Sequence, residues 1–295
     1  MAHGPGVQNT EDDPRIKTRS RAVSPSANPI GRQSVLPRAV LNIARLAVVP
    51  SVFVLVWIVA AAFLPAAVPA PAETVAAVAE GAERGWLQPG LQTTMTATLI
   101  AAISATVMGV LFSVLIGLNR FWADVWEPLL VWLYSVPKIT LFPVVVLIFG
   151  ISIETSIAFG VLNAVLPVAF ITFGAIRSVS EVHIKVARSY GLSSWQTFRE
   201  VVIPVAAPSL VTAARYGFST AFLAVVVGEM LASRQGIGQE LFRAIGLHQL
   251  GKVFGIALVL SVLALLINGA LLLLQRWLVR DSTNRTITQT DGVHA

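Results

Sequence analysis

Six apolar stretches constrain this chain more than any other feature. They run Leu41–Leu64, Thr94–Leu118, Pro128–Phe149, Ile157–Ile176, Val205–Leu231 and Val253–Leu278. A helix needs about 20 residues to cross a hydrocarbon core of about 30 Å, and each stretch meets or nearly meets that length. The third holds Pro137 and Pro143, so it is expected to be the least regular, because each proline removes a donor and breaks or kinks a helix. Only 12% of the 295 residues are charged, against roughly a quarter in soluble domains. The fold class expected is an all-α integral membrane protein with about six transmembrane helices. The absence of cysteine excludes disulfides, thiolate metal sites and cysteine catalysis.

Lys and Arg beside the spans set orientation. Arg15, Lys17, Arg19, Arg21, Arg32, Arg38 and Arg45 lie at the first span, and Arg120 follows the second. Arg177, Lys185, Arg188 and Arg199 follow the fourth, and Arg276, Arg280 and Arg285 end the chain. With an even number of spans all fifteen of these, out of 21, share one side. Both termini are therefore expected in the cytoplasm. The net charge of +6 flanks apolar spans, so no nucleic-acid partner is expected. The expected domains begin with a solvated tail over 1–39, a first transmembrane helix over 40–66 and an external amphipathic segment over 67–90, with Trp86 as an interfacial anchor. A core of five transmembrane helices over 91–280 and a cytoplasmic tail over 281–295 complete the chain.

The loop after the fourth span, 178–204, is more than a connector. "SVSE" places Ser178 at a helix N-cap with Glu181 at N3. Gly191 stands where a glycine ends a helix with positive φ. "SSWQ" starts a second helix with Ser193 capping and Gln196 at N3, and Trp195, Phe198 and Val202 then share one helical face. Pro204 opens the fifth span. A unit of two helices with an aromatic and several charges facing the cytoplasm fits two uses: docking a cytoplasmic protein, or lying on the inner leaflet through Lys185, Arg188 and Arg199. The residues alone leave both open.

Polar groups at membrane depth are the other candidates. Lys138 lies between the prolines of "SVPKITLFP" with Ser135 and Thr140 beside it. Irregular backbone there marks a solute pathway or a structural kink with Lys138 snorkelling to a headgroup. Arg215 lies about a third of the way into the fifth span. It is placed either to attract an anionic solute or to pair with a neighbouring span. Glu229, near that span's outer end, faces an external vestibule or is simply solvated. The two are fourteen residues apart, about 21 Å along a helix, too far to pair. "QGIGQEL" lacks the Lys and Ser/Thr of a phosphate-binding loop, and the four histidines are scattered, so no ATP site, metal site or catalytic constellation is read here.

The loop resembles the EAA loop of binding-protein-dependent ABC importer permeases. That pattern has a Glu-Ala-Ala triplet, a Gly four residues after the last Ala, and an Ile-x-Leu-Pro ending. Here the triplet is Lys185-Val186-Ala187, the glycine is Gly191 and the ending is Val201-Val202-Ile203-Pro204; Lys185 stands where the family has an acid. "LYSVPKITLFPVVVLIFGIS" and "GEMLASRQGIGQEL" are similar to segments of nitrate, sulfonate and taurine transporter permeases. The resemblance covers about Leu91 to Arg280 and implies a type I importer permease fold in a bacterial inner membrane. It implies that Lys185, Val186, Ala187, Arg188, Gly191, Ser193, Ser194, Trp195, Phe198 and Pro204 couple to an ATPase. Ser135, Pro137, Lys138, Thr140, Arg215 and Glu229 would line or gate the pathway of a small anion. Partners implied are a second permease subunit, two cytoplasmic ATPases carrying ATP and Mg, an external binding protein and membrane lipid; this chain would bind no cofactor and catalyse nothing itself. The alternatives are an ion-coupled carrier acting alone, which needs acids near the midplane and usually internal repeats, and a non-transporting scaffold.

Overall fold

A computed structural model describes residues 38–117 and 119–291. The expected N-terminal tail lies almost wholly outside the described residues. Residues 1–52 and 53–295 are separate compact units. The first contributes, among described residues, only the start of helix α1 (Arg38–Phe63). The second holds the rest of α1 and every later helix.

Four described helices are long and apolar enough to cross a membrane: α3 (Leu87–Gly117), α6 (Ile153–Arg177), the segment Trp195–Ala232 that ends in α9 (Ile203–Ala232), and the apolar part of α11 (Leu250–Asp291). A bent pair of helices is apolar enough together to make a fifth, broken crossing. Helix α4 (Arg120–Ser135) stops before Val136-Pro137, a 3-10 turn covers Lys138–Leu141, and α5 (Phe142–Phe149) leaves at 80° to α4. The two prolines expected to disturb this span do so by ending one helix and starting the next. The apolar described part of α1, Pro50–Phe63, is shorter than a span. Helix α11 continues to Asp291, into the residues read from sequence as a C-terminal tail.

Helices α3, α6 and α9 pack on one another as the core. Their shared cluster is built largely from Ala97, Ala101, Ala105, Ala164 and Ala221, with Phe218 and Val225. Small residues set the spacing. A Cβ on Gly160 would lie 2.8 Å from both Ala101 Cβ and Val225 Cγ2, and one on Gly217 would lie 2.6 Å from Val168 Cγ2. Lipid tails are as apolar as leucine, so helices in a membrane associate through close packing and interhelical hydrogen bonds rather than through escape from water. Ser113 Oγ donates to Ala169 O across α3 and α6 at 2.7 Å, and Ser219 Oγ donates to Asn268 Oδ1 across α9 and α11 at 2.7 Å.

Two short elements cap the spans at opposite ends of α9. Between α6 and α9 lie α7 (Glu181–Ser189) and α8 (Ser194–Thr197), the latter running through a π turn, Phe198–Val202, into α9. Beyond α9 lies α10 (Ile237–Gly246). Helix α2 (Pro71–Glu83) packs on the start of α11, where Gly255 lets it approach. Trp86 sits against Gly81 and beneath the Lys252 ammonium, 4.1 Å from its ring centroid. The ring expected as a membrane anchor is thus half-buried among protein groups.

Candidate functional site

The loop residues form a helix, a left-handed turn and a second helix. Ser180, not Ser178, caps α7, accepting from Val182 N at 3.3 Å. Ser178 instead ends α6, its Oγ donating to Ala175 O at 2.8 Å. Two serines two residues apart compete for one cap, and the later one wins because α6 runs on to Arg177. The end of α7 follows the sequence expectation. Gly191 has φ +74°, Leu192 N donates to Ala187 O at 3.2 Å and Gly191 N to Arg188 O at 2.9 Å, the paired bonds of a glycine-terminated helix. The second cap is reciprocal: Gln196 N donates to Ser193 Oγ at 3.3 Å and Ser193 N to Gln196 Oε1 at 2.9 Å.

The expected face of Trp195, Phe198 and Val202 is divided. Phe198 and Val202 are buried with Val179, against Ile176, Ile184 and Val114. Trp195 stacks on Phe198 at 5.9 Å but stays 61% exposed. The π turn, Phe198–Val202, keeps its two end residues on one buried side, while Trp195 stands ahead of it on α8. Ala187 is buried, whereas Val182, Val186 and Tyr190 are exposed, as are Lys185, Arg188 and Pro204. The element therefore grips the ends of α3 and α6 with one apolar side and presents aromatic and branched residues on the other. Beside it, Arg177 binds Asp124 at 2.7 Å and Glu127 at 3.3 Å, tying the end of α6 to α4.

The broken span forms the second part of the site. Lys138 Nζ donates to Tyr134 O at 3.2 Å, so the lysine satisfies a carbonyl freed where α4 stops, and the ammonium lies 4.7 Å from the Tyr134 ring centroid. Thr140 Oγ1 donates to Pro137 O at 2.7 Å and Ser135 Oγ to Val131 O at 2.9 Å. A cavity of 260 Å³ opens here between the turn, α6 and α9. Tyr134, Lys138, Asn163 and Thr220 are its polar lining and Phe159 and Leu223 part of its apolar wall. Sequence reading missed Tyr134, Asn163 and Thr220, since single polar residues in apolar runs carry no periodic signal.

The other two membrane-depth candidates lie elsewhere. Arg215 borders a different cavity, between α3, α9 and α11. Glu229 is fully buried and faces no vestibule. Its Oε2 accepts from Thr94 Oγ1 at 2.8 Å and Gly238 N at 2.9 Å, while Thr94 Oγ1 accepts from Ile237 N at 2.9 Å. The carboxyl thus joins α3, α9 and the first turn of α10. Gly236, with φ +95°, is required there, since any Cβ would run into the Glu229 carboxyl.

The model of the binding-protein-dependent transport system inner membrane component family matches residues 105–283. The chain belongs to this family. Its relatives include the putative aliphatic sulfonates transport permease protein SsuC of Bacillus subtilis (strain 168), 29% identical over 170 residues, 58% of this chain and 62% of that protein. The riboflavin transport system permease protein RibX of Chloroflexus aurantiacus is 31% identical over 55% of this chain and 60% of its own length. The taurine transport system permease protein TauC of Escherichia coli (strain K12) is 27% identical over 56% and 60%. The chain spans about three fifths of the length of these curated relatives. Among solved structures, a chain of the inward facing MetNI methionine ABC transporter superposes with a TM-score of 0.57 at 20% identity, over 66% of this chain and 96% of that one. A chain of an amino acid ABC transporter crystallised with histidines gives 0.56 at 16% identity, over 69% and 97%. The fold is that of type I ABC importer permeases, and the family is one of inner membrane components.

Proposed function

We propose that this chain is the permease subunit of an ATP-driven, binding-protein-dependent importer, forming the pathway for a small anion and coupling it to cytoplasmic ATPases. The observation that carries this reading is the α7–α8 element. It is pinned to the ends of the spans through Phe198 and Val202, yet exposes Val182, Val186, Tyr190 and Trp195. Large exposed apolar and aromatic groups on a polar element support protein docking over a solvated connector. In this reading both termini are cytoplasmic. A second permease subunit completes the pore, two ATPases hold ATP and Mg, and an external binding protein delivers the solute. Lys185, Arg188, Gly191 and Trp195 belong to the coupling surface, with Ser193, Ser194 and Pro204 shaping it. An ion-coupled carrier acting alone gains no support from family or fold.

The cavity at the broken span supports the solute class. Its lining holds the Lys138 ammonium and no carboxylate, and the hydroxyls and amide of Tyr134, Thr220 and Asn163 can donate to an oxyanion. Sulfonate, taurine and bicarbonate permeases among the relatives fit an anion, whereas riboflavin and formylaminopyrimidine permeases among them do not, so the cavity lining carries the solute class. Ser135, Pro137 and Thr140 shape the turn that holds Lys138 in place. Gly191→Pro tests the coupling. Proline cannot take φ +74°, so the α7–α8 turn is lost while the spans remain. Membrane insertion is expected to be normal and ATP-dependent uptake to fall to background. Normal uptake would sink the docking role.

A further inference from the structure

We propose that the groove between α3, α9 and α11 is a binding site for one anionic phospholipid, its acyl chain along the groove and its phosphate on Arg215. The inference rests on the membrane-spanning reading, but not on ATPase coupling or on the solute.

The groove encloses 460 Å³. Its lining runs from Leu210 to Phe218 on α9 and from Leu99 to Val107 on α3, about 12 Å of each helix axis at 1.5 Å per residue. The wall is apolar except for the Thr106 hydroxyl and the Arg215 guanidinium. Arg215 is half-buried, and among the described residues its guanidinium makes no ion pair or hydrogen bond. A cation at membrane depth needs a counter-charge.

The chain's own helices offer little. The sequences of α1 and α3 contain no Asp or Glu, and the acids of α11, Asp281 and Asp291, stand seven or more residues beyond its last groove residue, Leu274. Glu229 is buried in its own network, and Asp124 and Glu127 hold Arg177. A packed helix would fill the groove but leave the charge unmatched. A phospholipid supplies both parts: hydrocarbon for the wall, and a phosphate that a guanidinium binds in bidentate fashion. Arg215 lies twelve residues from the α8 end of α9 and seventeen from its other end, so the lipid would come from the leaflet on the α8 side, its phosphate drawn along the groove to meet the guanidinium. On this assignment Arg215 holds lipid, and Lys138, on the opposite cavity, faces the solute.

The test is native mass spectrometry of the full chain, purified with whatever subunits it carries and titrated with phosphatidylglycerol or phosphatidylcholine. One phosphatidylglycerol per copy is expected to be retained about fivefold better than phosphatidylcholine, the preference one basic residue confers near an anionic headgroup. Arg215→Gln should abolish that preference and Arg215→Lys should keep most of it. Val107→Trp, which fills the groove without touching the charge, should lower retention of both lipids. Equal retention of the two lipids by the unaltered protein would overturn the proposal. So would a preference that survives Arg215→Gln, or displacement of the lipid by inorganic phosphate. Uptake measured on the same variants reports on the transport reading separately, since lipid retention does not require flux.

Discussion

The short elements at the two ends of α9 solve one problem in opposite ways. Each must fix a helical segment to the end of a membrane span. The α7–α8 element does so with apolar contacts, through Val179, Phe198 and Val202. Helix α10 does so with a buried polar network, through Glu229, Thr94 and the amides of Ile237 and Gly238. A second tie at its far side joins Glu240 to Lys252 at 2.8 Å, with Lys252 over Trp86. Apolar contacts are non-directional, so a segment held by them can tilt while keeping most of its dispersion energy. Hydrogen bonds weaken steeply with misalignment, and unmade buried ones are expensive. On the proposed function, the contrast suits an α7–α8 side that receives force and an α10 side that holds shape.

The largest effect expected from breaking this contrast is at Glu229. Glu229→Ala leaves the Gly238 amide buried without its acceptor, at about 1–3 kcal/mol, and leaves the Thr94 hydroxyl only the Gly90 carbonyl, which it reaches at 3.1 Å. The purified protein should melt earlier, and α10 amides should exchange far faster with solvent while those of α7 stay unchanged. Glu229→Gln keeps one acceptor oxygen and should lose less. If exchange in α10 is unaffected by Glu229→Ala, the network is not what holds that helix.

The positive-φ glycine beside each of these elements sharpens the comparison with a smaller effect. Gly236 and Gly191 both have positive φ, and an alanine strains either by about 1 kcal/mol or more. They differ in surroundings. A Cβ at Gly236 also runs into the Glu229 carboxyl, whereas a Cβ at Gly191 meets nothing within 4 Å. Gly236→Ala should therefore lower thermal stability more than Gly191→Ala. Equal shifts in melting temperature would mean that the α10 element repacks as freely as the α7–α8 element.

These differences also mark how far the sequence could be read. The α7–α8 element was largely legible because local signals built it: the reciprocal Ser193–Gln196 cap and the Gly191 turn depend on residues within one turn of each other. The broken span was legible from Pro137 and Pro143, although not its 80° bend. What escaped depends on tertiary contact. Ser178 and Ser180 are equivalent candidates until the end of α6 selects between them. The π turn at Phe198 exists only where α9 meets its neighbours. Glu229 read as vestibule-facing or solvated because Thr94, its partner, lies 135 residues away. Arg215 and Lys138 read as members of one pathway because spacing does not say which face of α9 each cavity occupies.

The smallest effect on stability, and the most informative about function, is expected at Trp195. Its ring is 61% exposed, and its one aromatic contact is a stack on Phe198. Such a pair contributes about 0.5–1.5 kcal/mol, while the apolar grip of Phe198 and Val202 does not depend on it. Trp195→Ala should thus leave melting temperature and α7 exchange close to the unaltered protein. If the exposed ring is an anchor for a docked ATPase, it belongs to the class of buried aromatics whose truncation costs an interface about 2 kcal/mol or more. That loss is roughly thirtyfold in affinity. Uptake should then fall steeply although the protein remains folded, and raising the ATPase concentration in reconstituted vesicles should partly restore it. A Trp195→Ala variant that transports normally would move the docking surface elsewhere on the element, to Val182, Val186 or Tyr190. One that fails with ATPase bound as tightly as before would make the ring a transmitter of movement through Phe198 instead of a contact.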